Sequence, residues 1–198
     1  MSVQYEITND PQLLGQYFRI REHCFREELN LPNFDGSEDA WDRRSHLLIA
    51  RDEERCVAGV RITGRYPLLK GELPIEEEGL ELKRALPHIP VAQSACCQWS
   101  RLVVDPEYRE WDFFAQFGQA IIRFSELLGF GYSVAVTGMN QARFYKRLYS
   151  SMGYRFEILQ GIAVPAEEGF DGLPHLLSVG YLAAANERMA RRVLPQVA

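Results

Sequence analysis

Two hydrophobic periods divide this chain. Alternating or short continuous apolar runs at residues 3–7, 46–51, 55–63, 96–104, 132–137, 154–160 and 176–182 have the length and spacing of strands. Helical spacing takes over elsewhere. Asp10-Pro11 supplies an N-cap followed by proline at the first helical position. From there Leu14, Tyr17, Phe18, Arg21, Phe25 and Leu29 fall near one face. Phe113, Phe114, Phe117, Ile121, Phe124 and Leu128 mark a long amphipathic helix, closed by Gly129 or Gly131. Asn140 caps a helix that carries Phe144, Tyr145, Leu148 and Met152 and stops at Gly153. Residues 187–194 read as a short basic helix.

The connections are equally legible. Residues 30–44 are acidic, aromatic and interrupted by Pro32 and Gly36, which predicts a loop. Residues 52–54 turn one strand back on another. Residues 66–91 are rich in Pro, Gly and Glu and predict a surface crossing with short helical pieces. Asp105-Pro106 ends the strand before it. The order of helix, antiparallel strands, helix, strand, helix and strands predicts an α/β fold, a three-layer α/β/α sandwich about one sheet. The strands flanking the long helix are expected to run parallel, because a crossover helix joins them.

Composition narrows this picture only a little. At 198 residues, with 46% hydrophobic and 25% charged residues, the expectation is one domain over 1–198. No apolar run reaches the roughly 18 residues of a bilayer span. The first residues lack the basic start and apolar stretch of a secretory signal, so a cytoplasmic location is expected, with no membrane partner. A formal net charge of −5 argues against general nucleic-acid binding. Cys24, Cys56, Cys96 and Cys97 form no C-x-x-C pair and the four histidines are scattered, so no metal site or cofactor is expected and the thiols read as buried.

The stretch Ala95–Pro106, ACCQWSRLVVDP, poses the chemical question. Gln98, Ser100 and Arg101 interrupt a strand that is otherwise core. By alternation Gln98 and Ser100 share one face, with Trp99 and Arg101 on the other. A charge in a core strand needs an anionic or carbonyl partner, and Arg101 could brace loop acids or meet a ligand. Arg21 sits in an apolar helical stripe, where it either snorkels or serves a site.

The order of several short pieces resembles the acyl-homoserine lactone synthases, within the GNAT acyltransferase fold. The pieces are Arg21-Glu-His-Cys-Phe25, Asp39-Ala-Trp-Asp42 followed by a strand, Gly59-Val-Arg61, Ser100-Arg101 before an apolar run, and Val136-Thr137 before the late helix. The resemblance implies a mixed central sheet with a cleft between its two middle parallel strands, and a bulge that re-aims side chains at the cleft. It implies transfer of an acyl group from a thioester to the amine of S-adenosylmethionine, followed by lactonisation, as in quorum-sensing signal synthesis. An acyl carrier protein or acyl-coenzyme A would be the donor partner. Catalytic roles fall to Gln98, Ser100, Arg101 and Asp42. Substrate binding falls to Arg21, Phe25, Phe34, Asp39, Trp41, Arg61 and Thr137. Arg143, Lys146 and Arg147, at i, i+3 and i+4 of the late helix, would dock an acidic carrier protein. Two positions depart from the family. The tryptophan that follows the helix phenylalanine is absent near Leu31, and Gln98 stands where the family has glutamate; an amide cannot act as a general base. The turn Tyr108–Phe114 also lacks the glycines with which ordinary GNAT enzymes bind pyrophosphate. A GNAT-like N-acyltransferase acting on another amine, such as an amino acid, is the rival reading.

Overall fold

The computed structural model describes residues 3–67, 71–90, 93–165, 170, 172–173 and 175–183. The basic helix expected at 187–194 lies outside them. Among the described residues seven strands form one sheet: β1 (Gln4–Ile7), β2 (His46–Asp52), β3 (Arg55–Arg65), β4 (Cys96–Val104), β5 (Tyr132–Thr137), β6 (Phe156–Leu159) and β7 (Leu176–Tyr181), in the order β1-β2-β3-β4-β5-β7-β6. Only β4 and β5 are parallel neighbours, joined by the crossover helix α4 (Trp111–Leu127); every other pair is antiparallel. The sequence placed all seven strands. Among the described residues no helix is long and apolar enough to cross a membrane.

The helices take opposite faces. Helix α1 (Pro11–His23) starts as expected, with the Asp10 carboxylate accepting from Gln12 N at 2.7 Å and Leu13 N at 3.4 Å. Its last apolar residues run on into a π-helical turn, Cys24–Glu28. α1 packs its Leu13 and Tyr17 on Leu47, Ile49 and Val103 of the sheet. The close approach depends on Gly59, because a Cβ there would collide with the Tyr17 ring. Short helices α2 (Pro74–Glu77) and α3 (Leu82–Ala85) cover the same face further along, over Cys96, Val134 and Leu177. Helices α4 and α5 (Met139–Ser151) cover the other face with Phe117, Ile121, Tyr145 and Leu148, against Val60, Ile62, Cys97 and Trp99. The result is the three-layer α/β/α sandwich.

β4 carries the feature that shapes the site. Gly59 pairs with Val103 and Arg61 with Ser100, so Arg101 and Leu102 together oppose the single residue Val60. This is a β-bulge, and Arg101 takes the positive φ of 56° that it requires. The expectation that Arg101 shares a face with Trp99 is therefore corrected. The inserted residue resets the alternation, and the Arg101 guanidinium lies over Phe25, Phe34 and Phe170 on the α1 side, 5.6, 5.2 and 5.0 Å from their ring centres. Trp99 stays on the α4 side, where its indole N–H donates to Ser125 Oγ at 3.0 Å.

Candidate active site

The β4–β5 ladder runs only from Cys96/Tyr132 to Trp99/Ala135. Beyond it the bulge turns β4 away, while Val136 and Thr137 pair only with β7. The two parallel strands splay, and a cavity of about 340 Å³ opens between them. Phe25, Trp41, Gln98, Ser100, Arg101 and Thr137, six of the residues singled out in the sequence, line it.

Gln98 stands on the α1 side of β4, and its amide oxygen accepts from Ile75 N at 2.9 Å, capping the first turn of α2. Its NH₂ has no partner among the described residues. Thr137 Oγ1, on β5, is buried and likewise without a hydrogen-bond partner. The cavity is thus flanked by an amide donor on one strand and a buried hydroxyl on the other.

The remaining candidates form a network behind the cavity. Arg21, fully buried, binds Asp42 through two parallel hydrogen bonds, Nη1–Oδ1 at 3.0 Å and Nη2–Oδ2 at 2.9 Å. It also donates to the backbone oxygens of Gly36, at 3.0 Å, and Ser37. Arg61 donates to both Asp39 oxygens at 2.9 and 2.7 Å, to Asp42 Oδ1 at 3.4 Å and to Ser100 Oγ at 2.9 Å. The two aspartates lock each other: Asp42 N donates to Asp39 Oδ1 at 2.7 Å and Asp39 N to Asp42 Oδ2 at 2.9 Å. All four charges thus face one another, and Arg21, Arg61, Asp39 and Asp42 stand outside the cavity lining. The network ties loop 36–44 to α1, β3 and β4. That tie sets Trp41, over which Arg44 stacks at 3.5 Å, on the cavity rim. Phe34 sits one layer back, stacked on Phe25 at 4.6 Å.

Burial raises the Asp39 pKa, but the Arg61 charge and the Asp42 N–H outweigh it, and the net shift is downward. Burial pushes the Tyr145 phenol well above its usual range; its oxygen accepts from Gln141 Nε2 at 3.1 Å. Tyr145 and Gln141, from α5, line the cavity, as do Glu78 and His175. The sequence pattern assigned Tyr145 to the core face of its helix and gave no signal for the other three. An isolated histidine or glutamate beside a strand has none. Cys96 and Cys97 do not line the cavity, and burial raises both thiol pKa values. Among the described residues no group of three or more His, Cys, Asp or Glu is placed to hold a metal.

Arg143, Lys146 and Arg147 are exposed on α5. Arg147 lies over Trp111 at 4.7 Å, and Arg143 and Lys146 border a groove beside β6 with Glu157 and Gln160.

The fold of the whole chain has counterparts among solved structures. The fold is GNAT-like. A coenzyme A-dependent acyl-homoserine lactone synthase, BjaI, in a structure with SAM and isopentyl-CoA, superposes with a TM-score of 0.62 at 19% identity, covering 98% of this chain and 90% of that one. FeeM, an N-acyl amino acid synthase from uncultured soil microbes, gives 0.61 at 11% identity over 98% and 99%. An acetyltransferase from Streptococcus agalactiae gives 0.55 at 15% identity over 91% and 98%. No protein-family model and no curated protein sequence matches the chain.

Proposed function

We propose that this chain transfers an acyl group from a thioester to an amine, and that the amine belongs to S-adenosylmethionine, which then closes to an acyl-homoserine lactone. The observation that carries the reading is the convergence of the separated motif pieces. The Arg21–Asp42–Arg61–Asp39–Ser100 network holds the bulged strand and the Trp41 loop around a cavity that opens at the splayed β4–β5 pair. An amine-bearing fold neighbour of each kind exists: BjaI is described with SAM, and FeeM as an N-acyl amino acid synthase.

The chemistry fits the groups present. The acceptor nitrogen attacks the thioester carbonyl, the C–S bond breaks, and the sulfur leaves. Backbone groups freed where β4 parts from β5 can hold the extended pantetheine arm. The Arg101 guanidinium suits the methionine carboxylate. Tyr145, kept protonated by burial, can give its proton to the departing thiolate. The carboxylate then attacks the carbon next to the sulfonium and expels methylthioadenosine. In this reading Arg21, Asp39, Asp42 and Arg61 are positioning residues. The rival acceptor, an amino acid, is favoured by Gln98, which stands where the resembled synthases have glutamate.

Purified protein incubated with a panel of acyl thioesters, and with either S-adenosylmethionine or amino acids, separates the two by mass spectrometry. Acyl-homoserine lactone as the product supports the reading. N-acyl amino acid alone supports the rival, and no acyl product with either overturns both.

A further inference from the structure

Amine acylation must dispose of protons. An ammonium becomes an amide by losing two, one to the leaving sulfur and one to solvent, and the first must leave before the nitrogen can attack. The position where the family resemblance expects glutamate is Gln98, which has no basic lone pair and whose oxygen is engaged with Ile75 N. Asp39 and Asp42 are held by Arg21, Arg61 and each other's N–H groups, outside the cavity. The described titratable residues that line the cavity are Glu78 from α2, Arg101 from β4, Tyr145 from α5 and His175 beside β7. An arginine does not release its proton at working pH, and the Tyr145 phenol is pushed upward by burial. Glu78 is exposed at the end of α2, whereas His175 is half-buried.

We propose that His175 is the proton acceptor of this reaction. Its place follows from the register of β7. Thr137 pairs with Leu176, the last rung of the β5–β7 ladder, so His175 stands one residue further out, at the end of β5 where the cleft opens. Alternation puts His175 on the side of Leu177, whose cluster includes Cys96 and Val134 and lies under α2. That is also the side of Gln98, two residues from Cys96. Among the described residues no hydrogen bond or ion pair occupies its ring. A neutral imidazole at this spot can take a proton from an acceptor ammonium bound in the cavity. The first ammonium proton passes to the ring, and the nitrogen so freed then attacks the thioester carbonyl. The ring proton then goes to solvent, while Tyr145 supplies the sulfur and is reprotonated by the second amine proton. Atoms and charges balance with His175 neutral again.

The inference rests on the acyl-transfer reading, so the wild-type chain is assayed first, by release of free thiol from an acyl thioester with S-adenosylmethionine or amino acids as acceptor. The expected result for His175→Gln is a fall in kcat near neutral pH of about 10²-fold, with KM for the acceptor little changed. The acidic limb of the kcat–pH profile moves to higher pH, where the acceptor loses its own proton, so raising the pH narrows the gap. His175→Ala is expected to regain activity with added imidazole, which a packing role would not allow. Glu78→Gln is expected to keep the limb. Circular dichroism melting checks that each variant is folded. A folded His175→Gln enzyme with wild-type rate and limb overturns the proposal while leaving acyl transfer standing. The same shift of the limb in Glu78→Gln instead moves the role to Glu78. A wild-type chain inactive with every acceptor removes the acyl-transfer reading and this inference together.

Discussion

Asp42 is the residue on which the site's geometry turns. Its side chain is 0% exposed and its oxygens meet two arginines and one N–H. Removing one member of a buried, hydrogen-bonded ion set leaves the others uncompensated and costs about 3–5 kcal/mol. Arg21→Ala and Asp42→Ala are therefore expected to lower stability by that order in urea titrations, with loss of acceptor binding following from the loosened Trp41 loop. Asp39 differs because its side chain is 37% exposed. Its folded-state pKa is depressed, so its contact with Arg61 contributes fully above the unfolded carboxylate's pKa of about 4 and is lost as the pH falls through the lower folded value. Stability measured against pH below 4 should fall less steeply in Asp39→Asn than in the wild type. Gln98→Glu is expected to fold and remain active. A carboxylate can accept the same Ile75 N–H at a helix N-terminus and adds a second base to the cavity. A folded but inactive Gln98→Glu enzyme would show that the neutral amide is needed, and would favour the amino-acid acceptor.

Two elements set how substrates approach. The β4 bulge is a matter of count: two residues against one turn Arg101 from the α4 side to the α1 side. Arg101→Ala is expected to retain the fold, since the bulge is also fixed by Tyr17, whose hydroxyl donates to Arg101 O at 2.8 Å. The same variant is expected to bind S-adenosylmethionine about tenfold more weakly in calorimetric titration, as a lost charge-assisted contact implies. Helix α5 presents Arg143, Lys146 and Arg147 to solvent while Tyr145, Leu148 and Tyr149 are buried. Exposed charges of this kind steer an acidic partner and fade with salt, over a Debye length of about 10 Å at 0.1 M. Reversing Arg143 and Arg147 to glutamate should slow transfer from an acyl carrier protein at low salt and leave S-adenosylmethionine affinity unchanged. An unchanged rate would make α5 an ordinary solvated face and point to a coenzyme A thioester as donor.

At the scale of the molecule, the cavity is assembled from α1, loop 36–44, α2, β4, β5, α5 and the approach to β7. No local stretch contains it. Periodicity, the Asp10 cap and glycine stops, acting over a few residues, suffice for the strands, the three main helices, the layer order and the parallel pair; Asn140 is not a cap, since α5 already begins at Met139 after Gly138. Gln98, Ser100 and Arg101, polar side chains inside an apolar run, are anomalies visible locally, whereas Phe25, Trp41 and Thr137 were singled out only through the family resemblance. Which charges neutralise one another is settled only in the folded chain. Arg21, Asp39, Asp42 and Arg61 are separated by up to forty residues, and whether an arginine meets a substrate or an aspartate depends on how loop 36–44 crosses the sheet. The face of Arg101 was equally beyond alternation, because a bulge breaks the period that the inference relies on. His175 joins the cavity through pairing between strands far apart in the chain, and nothing next to it in the sequence records that pairing.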